Sequence, residues 1–261
     1  MSGTGGVGFI MLDKDGKLAY AANAMNFCIP SSIGSDFTIY SIDADGTMHE
    51  TKRAGEGAIT AKTAKAGALA DVLPAYALKT TVSGNINAAD LKYVRTLVYD
   101  NSLTIVDLSA AKVVADCNAN ECRPDAIGKE AFHRCLNLKS IILPNGITAI
   151  GKDAFSRGGL SEIIIPDKVA TVGEDAFAYC KTLKKVTIGS GIKALSKGAF
   201  YDSPVKDVYV KAAVPPAMSS YVFSSKPVIH VSAGAVEAYK ASAWAEFGTI
   251  VGDLDDSSSA K

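Results

Sequence analysis

The chain has 261 residues, enough for one elongated domain with a smaller region beside it. Its 27 lysine and arginine residues balance its 27 aspartate and glutamate residues, which argues against a nucleic-acid-binding protein, because such a protein needs a basic surface. No stretch approaches the roughly 18 consecutive apolar residues of a transmembrane helix.

Residues 1–58 contain two β-hairpin signals and lie outside the repeat that fills the rest of the chain. Asp15-Gly16 and Asp45-Gly46 each stand between two alternating segments, which is typical of a tight hairpin turn. Both sequences also resemble the start of a calcium-binding loop, but Ala24 and Ala54 stand where that loop needs its final glutamate. We therefore predict turns without metal, in a small β region that either caps the first repeats or forms a separate module.

Residues 59–100 are predicted to be the amino-terminal flank of a repeat domain that runs to residue 252. The beginning of this flank is rich in alanine and lysine. Leu69, Val72 and Leu73 have helical spacing there, so we predict a short helix up to the kink at Pro74.

A strand and a capped helix complete the flank. Lys79–Ser83 is rich in β-branched residues and is predicted to be a strand. Asn87 followed by Asp90 is the spacing of a capping box, in which each side chain accepts a hydrogen bond from the backbone of the other. We predict a helix that begins after Asn87 and ends at about Val98.

Phenylalanine recurs at intervals of 22 or 23 residues along the next part of the chain. Four of the five positions end a shared phrase, such as Ile-Gly-Lys-Glu-Ala-Phe at 127–132. A fixed period of this length predicts a repeat solenoid, in which each unit buries its apolar face by stacking on the next. We predict that the five rings form one interior spine. They are Phe132, Phe155, Phe177, Phe200 and Phe223.

Each phenylalanine of the regular repeats, 127–231, precedes a short β-branched run that is typical of a strand. Strands stacked in register form a parallel sheet, and alternation assigns one side of each strand to the interior. A second apolar piece after each strand is predicted to close the coil on its other side. The inward pairs are Ile141 with Leu143, Ile163 with Ile165, Val186 with Ile188, and Val208 with Val210.

The outward side chains of these strands are predicted to form a continuous row, which we call the outward row. An uncovered apolar row marks an interaction site, unless residues 1–58 cover it or its isoleucines only reflect β-propensity. Tyr209 and His230 are the best candidates for ligand contact, because aromatic side chains dominate interface energetics. The members are Asp107, Ile142, Ile164, Thr187, Tyr209 and His230.

The ends of the solenoid are marked by an insertion and a cap. Residues 115–125 exceed the repeat length and are predicted to form a surface loop. Ser232 is expected to cap a helix over 233–246, as part of a terminal cap at 232–252, and residues 253–261 are expected to be a disordered tail. The apolar face of that helix is predicted to be Val236, Tyr239, Ala243, Trp244 and Phe247.

The five cysteines divide into buried and exposed candidates. Cys135 and Cys180 occupy the same position two repeats apart, too far for a disulfide, so we predict buried thiols. Cys117 and Cys122 lie in the insertion, where they either pair in an oxidising compartment or remain free. A zinc site made of these cysteines with His133 and Cys135 is disfavoured by their spacing, and we predict no metal. Cys28 has no evident partner and is assigned to a core.

The repeat phrase (Ile/Val)-Gly-x-x-Ala-Phe-x-x-Cys-x-x-Leu-x-x-(Ile/Val)-x-(Ile/Leu)-Pro, nearly complete at 127–149 and 172–188, resembles the BspA-like leucine-rich repeat proteins of Bacteroidales. The resemblance covers roughly residues 60–251 and implies a right-handed solenoid with a stacked parallel sheet and little helix. It also implies export to the cell surface or medium, with the signal peptide absent from this sequence, and adhesion to host proteins or other cells. One repeat departs from the phrase, because Gly158-Gly159 shortens it.

Neither a nucleophile motif nor a phosphate-binding glycine loop is present, and the resemblance transfers no catalytic residue. We therefore predict a protein that is not an enzyme and needs no cofactor. The leading hypothesis is a secreted or surface-anchored recognition and adhesion module that binds a host or microbial protein or glycan along the solenoid. The alternative is a structural, self-assembling component of a surface layer.

Overall fold

A computed structural model describes residues 8–13, 17–23, 37–42, 48–54, 59–73, 77–100, 103–115 and 124–254. The first four ranges contain the strands β1 (Gly8–Asp13), β2 (Leu18–Asn23), β3 (Phe37–Ile42) and β4 (Met48–Ala54). They form an antiparallel sheet in the order β2-β1-β3-β4, so both predicted hairpins are confirmed as strand pairs. The turn residues, Asp15-Gly16 and Asp45-Gly46, and Cys28 lie outside the described residues.

The flank and the residues up to 113 add four strands and one α-helix. The elements are β5 (Ile59–Thr63), β6 (Lys79–Ile86), α1 (Ala88–Tyr99), β7 (Ile105–Asp107) and β8 (Ala111–Val113). The predicted helix before Pro74 is wrong: β5 takes up part of that segment, and only a 3₁₀ turn forms at Leu69–Asp71. Leu69 and Leu73 are buried as expected, whereas Val72 is 44% exposed, because a single turn has no continuous apolar face.

The capping box at α1 is confirmed, and Asp90 also forms hydrogen bonds to the loop at Gly67 and Leu69. The Oδ1 atom of Asn87 accepts hydrogen bonds from the backbone N–H of Ala89 and of Asp90, at 3.0 and 3.2 Å. The buried carboxylate of Asp90 accepts the N–H of Asn87 at 2.9 Å, and also those of Gly67 and Leu69, at 2.6 and 2.8 Å. Three donors to one buried carboxylate compensate its removal from water.

The repeats contribute two series of parallel strands. The short series is β9 (Ala126–Ile127), β11 (Ala149–Ile150), β13 (Thr171–Val172), β15 (Ala194–Leu195) and β17 (Ala217–Met218). The longer series is β10 (Ser140–Ile142), β12 (Glu162–Ile165), β14 (Lys185–Ile188), β16 (Asp207–Val210) and β18 (Val228–Ser232). Every predicted inward residue of the longer series is buried, so the assignment of faces is confirmed.

The phenylalanine rings stack in the interior as predicted. Successive centroids from Phe132 to Phe223 are 5.0–5.2 Å apart, with interplanar angles of 1–11°. The backbone N–H of each of the first four phenylalanines donates a hydrogen bond to the carbonyl of the residue that precedes the next phenylalanine, at 2.7–2.9 Å. The chain is thus hydrogen-bonded to its neighbours at the phenylalanine turns as well as in the two strand series.

One expectation about the longer series is wrong, because its strands do not form one continuous sheet. The strands β10-β7-β6-β5 form one sheet, and β12-β14-β16-β18 belong to another. The strands β10 and β12 are neighbours without strand pairing. The interruption falls at the shortened repeat, where Gly159 passes so close that a Cβ there would lie 1.8 Å from the carbonyl oxygen of Leu136.

The carboxyl-terminal cap differs from the predicted helix. Its residues form a 3₁₀ turn at Ala233–Ala235, the helix α2 (Val236–Lys240), a second 3₁₀ turn at Ala243–Glu246 and the strand β19 (Thr249–Leu254). The Ser232 side chain makes no capping hydrogen bond. Ala243 is exposed, because the break after α2 turns it away from the core.

The cap nevertheless covers the last coil. Tyr239 and Trp244 are fully buried, and the Trp244 ring lies 6.4 Å from that of Phe223. The Tyr239 hydroxyl donates to the carbonyl of Ala212 at 2.8 Å, and Trp244 Nε1–H donates to that of Pro216 at 2.9 Å. The strand β19, which the sequence did not predict, pairs in parallel with β18 and includes Asp253 of the expected tail.

Cys135 and Cys180 are free and buried, as predicted. Burial raises the pKa of both thiols from 9.0 to about 11. The thiolate is the reactive form, and a raised pKa keeps the thiol protonated in mildly alkaline solution.

We expect iodoacetamide at about pH 8 to leave both cysteines unmodified in the folded protein and to alkylate them in denaturant. Mass spectrometry of their peptides measures this, and rapid alkylation of either native thiol would contradict the structure.

Candidate functional site

The outward row is present but divided. Ile142 lies opposite Asp107 in one sheet, and Ile164, Thr187, Tyr209 and His230 lie opposite one another in succession in the other. Ile142 is 51% exposed and Ile164 is 64% exposed. The two isoleucines are therefore largely exposed, and the placement of residues 1–58 as a cap over them or as a separate module stays a prediction.

The far end of the outward row is aromatic. The rings of Tyr209 and His230 stack with centroids 4.3 Å apart and an interplanar angle of 9°. Lys185 Nζ lies 5.1 Å from the centroid of the Tyr209 ring, within the range of a cation–π contact. The parallel register of β14, β16 and β18 produces this cluster, because it places equivalent side chains directly beside one another.

His230 is more enclosed than the sequence suggested, and its side chain is only 13% exposed. Its Nδ1 atom lies 2.9 and 3.0 Å from the two carboxylate oxygens of Asp253, and its Nε2 atom lies 3.5 Å from Asp207 Oδ1. Sequence reasoning missed Asp253, because the residue was assigned to a disordered tail. His230 thus supports Tyr209 and offers a ligand little surface of its own.

Asp107 also has a local partner. Its Oδ1 atom accepts the backbone N–H of Ser109 at 2.8 Å, which is the hydrogen bond of an Asx turn at the end of β7. This contact explains an aspartate at this position without a ligand. The members of the row that remain open to a partner are Ile142, Ile164, Thr187 and Tyr209.

A second feature lies on the side of the solenoid formed by the phenylalanine turns and was not predicted. It is an open cavity of about 600 Å³, which we call the glycine groove. Residues from α1 and from three successive repeats meet there, and the one local signal of the groove was the shortening of the repeat at Gly158-Gly159. Its lining includes Tyr99, Arg134, Leu136, Arg157, Tyr179 and Lys181, with Gly158 and Gly159 between them.

Within the described ranges, no group of three histidine, cysteine, aspartate or glutamate side chains is placed to hold a metal ion. Cys117 and Cys122 lie outside those ranges, so their pairing stays a prediction. Of the helices in the described ranges, none combines the length and the apolar character needed to cross a bilayer.

Comparison with known proteins identifies the repeats. Residues 121–230 match the model of the BspA type leucine rich repeat region in six copies. No curated protein matches the chain in sequence.

Three solved structures are similar to the chain. The pneumococcal vaccine antigen PcpA is 14% identical, with a TM-score of 0.36, over 67% of this chain and 59% of its own. A leucine rich cell surface protein from Faecalibacterium prausnitzii A2-165 is 13% identical, with a TM-score of 0.26, and the similarity covers 90% of this chain and 97% of that protein. A leucine-rich repeat protein from Bacteroides ovatus ATCC 8483 is 17% identical, with a TM-score of 0.29, and the similarity covers 70% of this chain and 54% of that protein. The chain thus spans less than two thirds of the first and third structures.

Proposed function

We propose, from the match of residues 121–230 to the BspA type leucine rich repeat region, that the protein is a non-catalytic recognition module at a cell surface or in the medium. It binds a protein partner across the open members of the outward row. The observation that carries this proposal is the exposure of Ile142 and Ile164, at 51% and 64%, with the supported ring of Tyr209 two strands beyond Ile164.

The chemistry of these side chains favours a protein over a polar ligand. Burial of an exposed isoleucine in an apolar interface contributes roughly 1.5–3 kcal/mol, and only an apolar surface can supply that environment. Tyr209 adds a large ring whose position is already fixed by the His230 stack, so binding orders few side chains. An aliphatic centre with an aromatic anchor is typical of a protein interface.

The test uses two substitutions at the row and one outside it. The variant with Ile142→Glu and Ile164→Glu is compared with Val214→Glu, which alters a side chain that is 77% exposed and lies off the row. Binding to immobilised fibronectin, laminin and collagen is measured by biolayer interferometry. We expect the unaltered protein to bind at least one of these, the row variant to bind about tenfold or more weakly, and Val214→Glu to bind normally.

Two outcomes contradict this proposal. The first is equal binding by the row variant and the control. The second is self-association of the unaltered protein that grows with concentration in light scattering and is abolished in the row variant. That result would assign the row to copies of the same chain, as in a surface layer.

A further inference from the structure

The glycine groove results from the shortened repeat. Leu136, Gly159 and Lys181 are equivalent, because each lies four residues after its phenylalanine. The middle coil has no side chain at this position and is one residue shorter than the coil after it. The coils on either side therefore form two walls about 10 Å apart, which is twice the spacing of adjacent strands.

The floor of the groove is backbone whose donors are already used. The N–H of Gly158 donates to the carbonyl of Phe155, and that of Gly159 donates to the carbonyl of Cys135, both at 3.0 Å. A bound peptide needs a free sheet edge for its main chain or deep apolar pockets for its side chains. The two glycines of the floor offer no free N–H to a peptide main chain, so the ligand must be recognised by the side chains that line the groove.

Arginine and tyrosine side chains line the groove in a row. Arg134, Arg157 and Tyr179 each lie two residues after a phenylalanine and share a φ of 59°. The guanidinium carbon of Arg157 lies 4.5 Å from the centroid of the Tyr179 ring. Tyr179 in turn packs edge to face on Tyr201, with centroids 5.8 Å apart. These contacts hold the Arg157 fork in place before any ligand arrives.

The positive charge of the groove is available for a ligand. Within the described part of the chain, neither Arg134 nor Arg157 forms an ion pair, whereas Lys181 is neutralised by Asp202 at 2.6 Å. A guanidinium fork matches the two oxygens of a carboxylate, sulfate or phosphate. Tyr99, which is 54% exposed, adds an aromatic face at the amino-terminal side of the groove.

We propose that the glycine groove binds a short acidic oligosaccharide, with Arg134 and Arg157 on its carboxylate or sulfate group and Tyr99 against a sugar ring, while Tyr179 positions Arg157. The volume of about 600 Å³ suits a ligand of a few sugar units. Flat aromatic faces and planar polar forks fit the alternating apolar and polar surfaces of a sugar chain. The site is separate from the outward row and extends the proposed function to a second class of ligand.

Calorimetric titration with defined sugars tests the proposal. The probes are a heparin tetrasaccharide, which carries sulfate and carboxylate groups, sialyllactose, which carries only a carboxylate, and neutral lactose. We expect one or both acidic sugars to bind and lactose to give no heat. Arg134→Gln and Arg157→Gln should each weaken binding about tenfold or more, since each removes charge-assisted hydrogen bonds.

Three controls separate recognition from bulk charge and from misfolding. Lys168→Gln makes the same change of charge at an exposed site outside the groove and should alter the affinity less than about twofold. Arg157→Lys keeps the charge but loses the fork, so it should still bind the sugar more weakly than the unaltered protein. The row variant, Ile142→Glu with Ile164→Glu, should bind the acidic sugars normally, so the two proposals can fail independently.

The proposal is overturned by any of three results. No acidic sugar binds to the unaltered protein, or the two glutamine variants bind as well as Lys168→Gln does. The third is that hexaglutamate binds as tightly as the sugars and with the same dependence on Arg157, which would assign the groove to acidic peptides.

Discussion

Replacing Phe177 by alanine is expected to lower the free energy of unfolding by about 3–5 kcal/mol. The ring is fully buried and stacks on two neighbours, Phe155 at 5.0 Å and Phe200 at 5.2 Å. Its removal leaves a cavity in the middle of the spine and weakens two coil interfaces at once. Because a solenoid is stabilised mainly by contacts between adjacent coils, a central defect separates the stack into two shorter parts. Urea denaturation followed by circular dichroism measures the change.

Two companion variants show whether position and volume matter as argued. Phe177→Leu keeps much of the volume and is expected to lose less stability than Phe177→Ala. Phe132→Ala removes the first ring of the spine, which among the described residues stacks on Phe155 alone, and so should cost less than the central substitution. A midpoint for Phe177→Ala equal to that of the unaltered protein would falsify the account of the spine.

Gly159→Ala is expected to be the most damaging glycine-to-alanine change in the described repeats, with a loss of about 3 kcal/mol, the upper end of the usual range for overpacking. The new Cβ would lie 1.8 Å from the carbonyl oxygen of Leu136 and 2.6 Å from its carbonyl carbon. Both obstacles are backbone, so no side-chain rotation relieves the overlap. The two coils must move apart, and the spine between Phe132 and Phe155 must open with them.

Gly146→Ala is the matched control for this prediction. A Cβ at Gly146 meets no atom within 4 Å, so the same chemical change is expected to be neutral or to stabilise the protein by about 0.4–1 kcal/mol. The denaturation midpoints of the two variants are compared under identical conditions. Equal midpoints would show that a Cβ can be accommodated at position 159, which contradicts the structure.

The sequence was sufficient to predict features that depend on the period. The stacked rings and the inward positions, such as Ile163 and Val186, follow from the equivalence of every coil. The capping box of Asn87 and Asp90 is equally local, because both partners of each hydrogen bond lie within one turn of helix.

Features that depend on contacts between distant residues were missed. The strand β5 has the sequence Ile-Thr-Ala-Lys-Thr, whose alanine-rich and lysine-rich surroundings favoured a helix, and its pairing with β6 decides otherwise. The strand β19 contains Gly252 and Asp253, which weaken a strand signal. Asp253 lies 23 residues from His230, so only the register of β18 and β19 reveals that contact.

The outward row could be predicted as a set of residues but not as a surface. Alternation correctly placed Ile142, Ile164 and Tyr209 on one side of their strands. The break between β10 and β12 depends on the path of Gly159 through the coil before it. The enclosure of His230 depends on Asp207, which opens the repeat strand β16, and on Asp253, which lies beyond the repeats.

The close passage of Gly159 has a consequence for how the array can change in length. Coils with 23-residue turns repeat the same ring stacking and the same backbone hydrogen bond at phenylalanine, so insertion or loss of one such coil is expected to keep those contacts. The coil with the paired glycines differs, because only a residue without a Cβ at position 159 lets its backbone pass the carbonyl of Leu136. This coil therefore marks one defined position in the series of repeats. A surface formed around it is expected to keep the same residues when the number of regular coils changes.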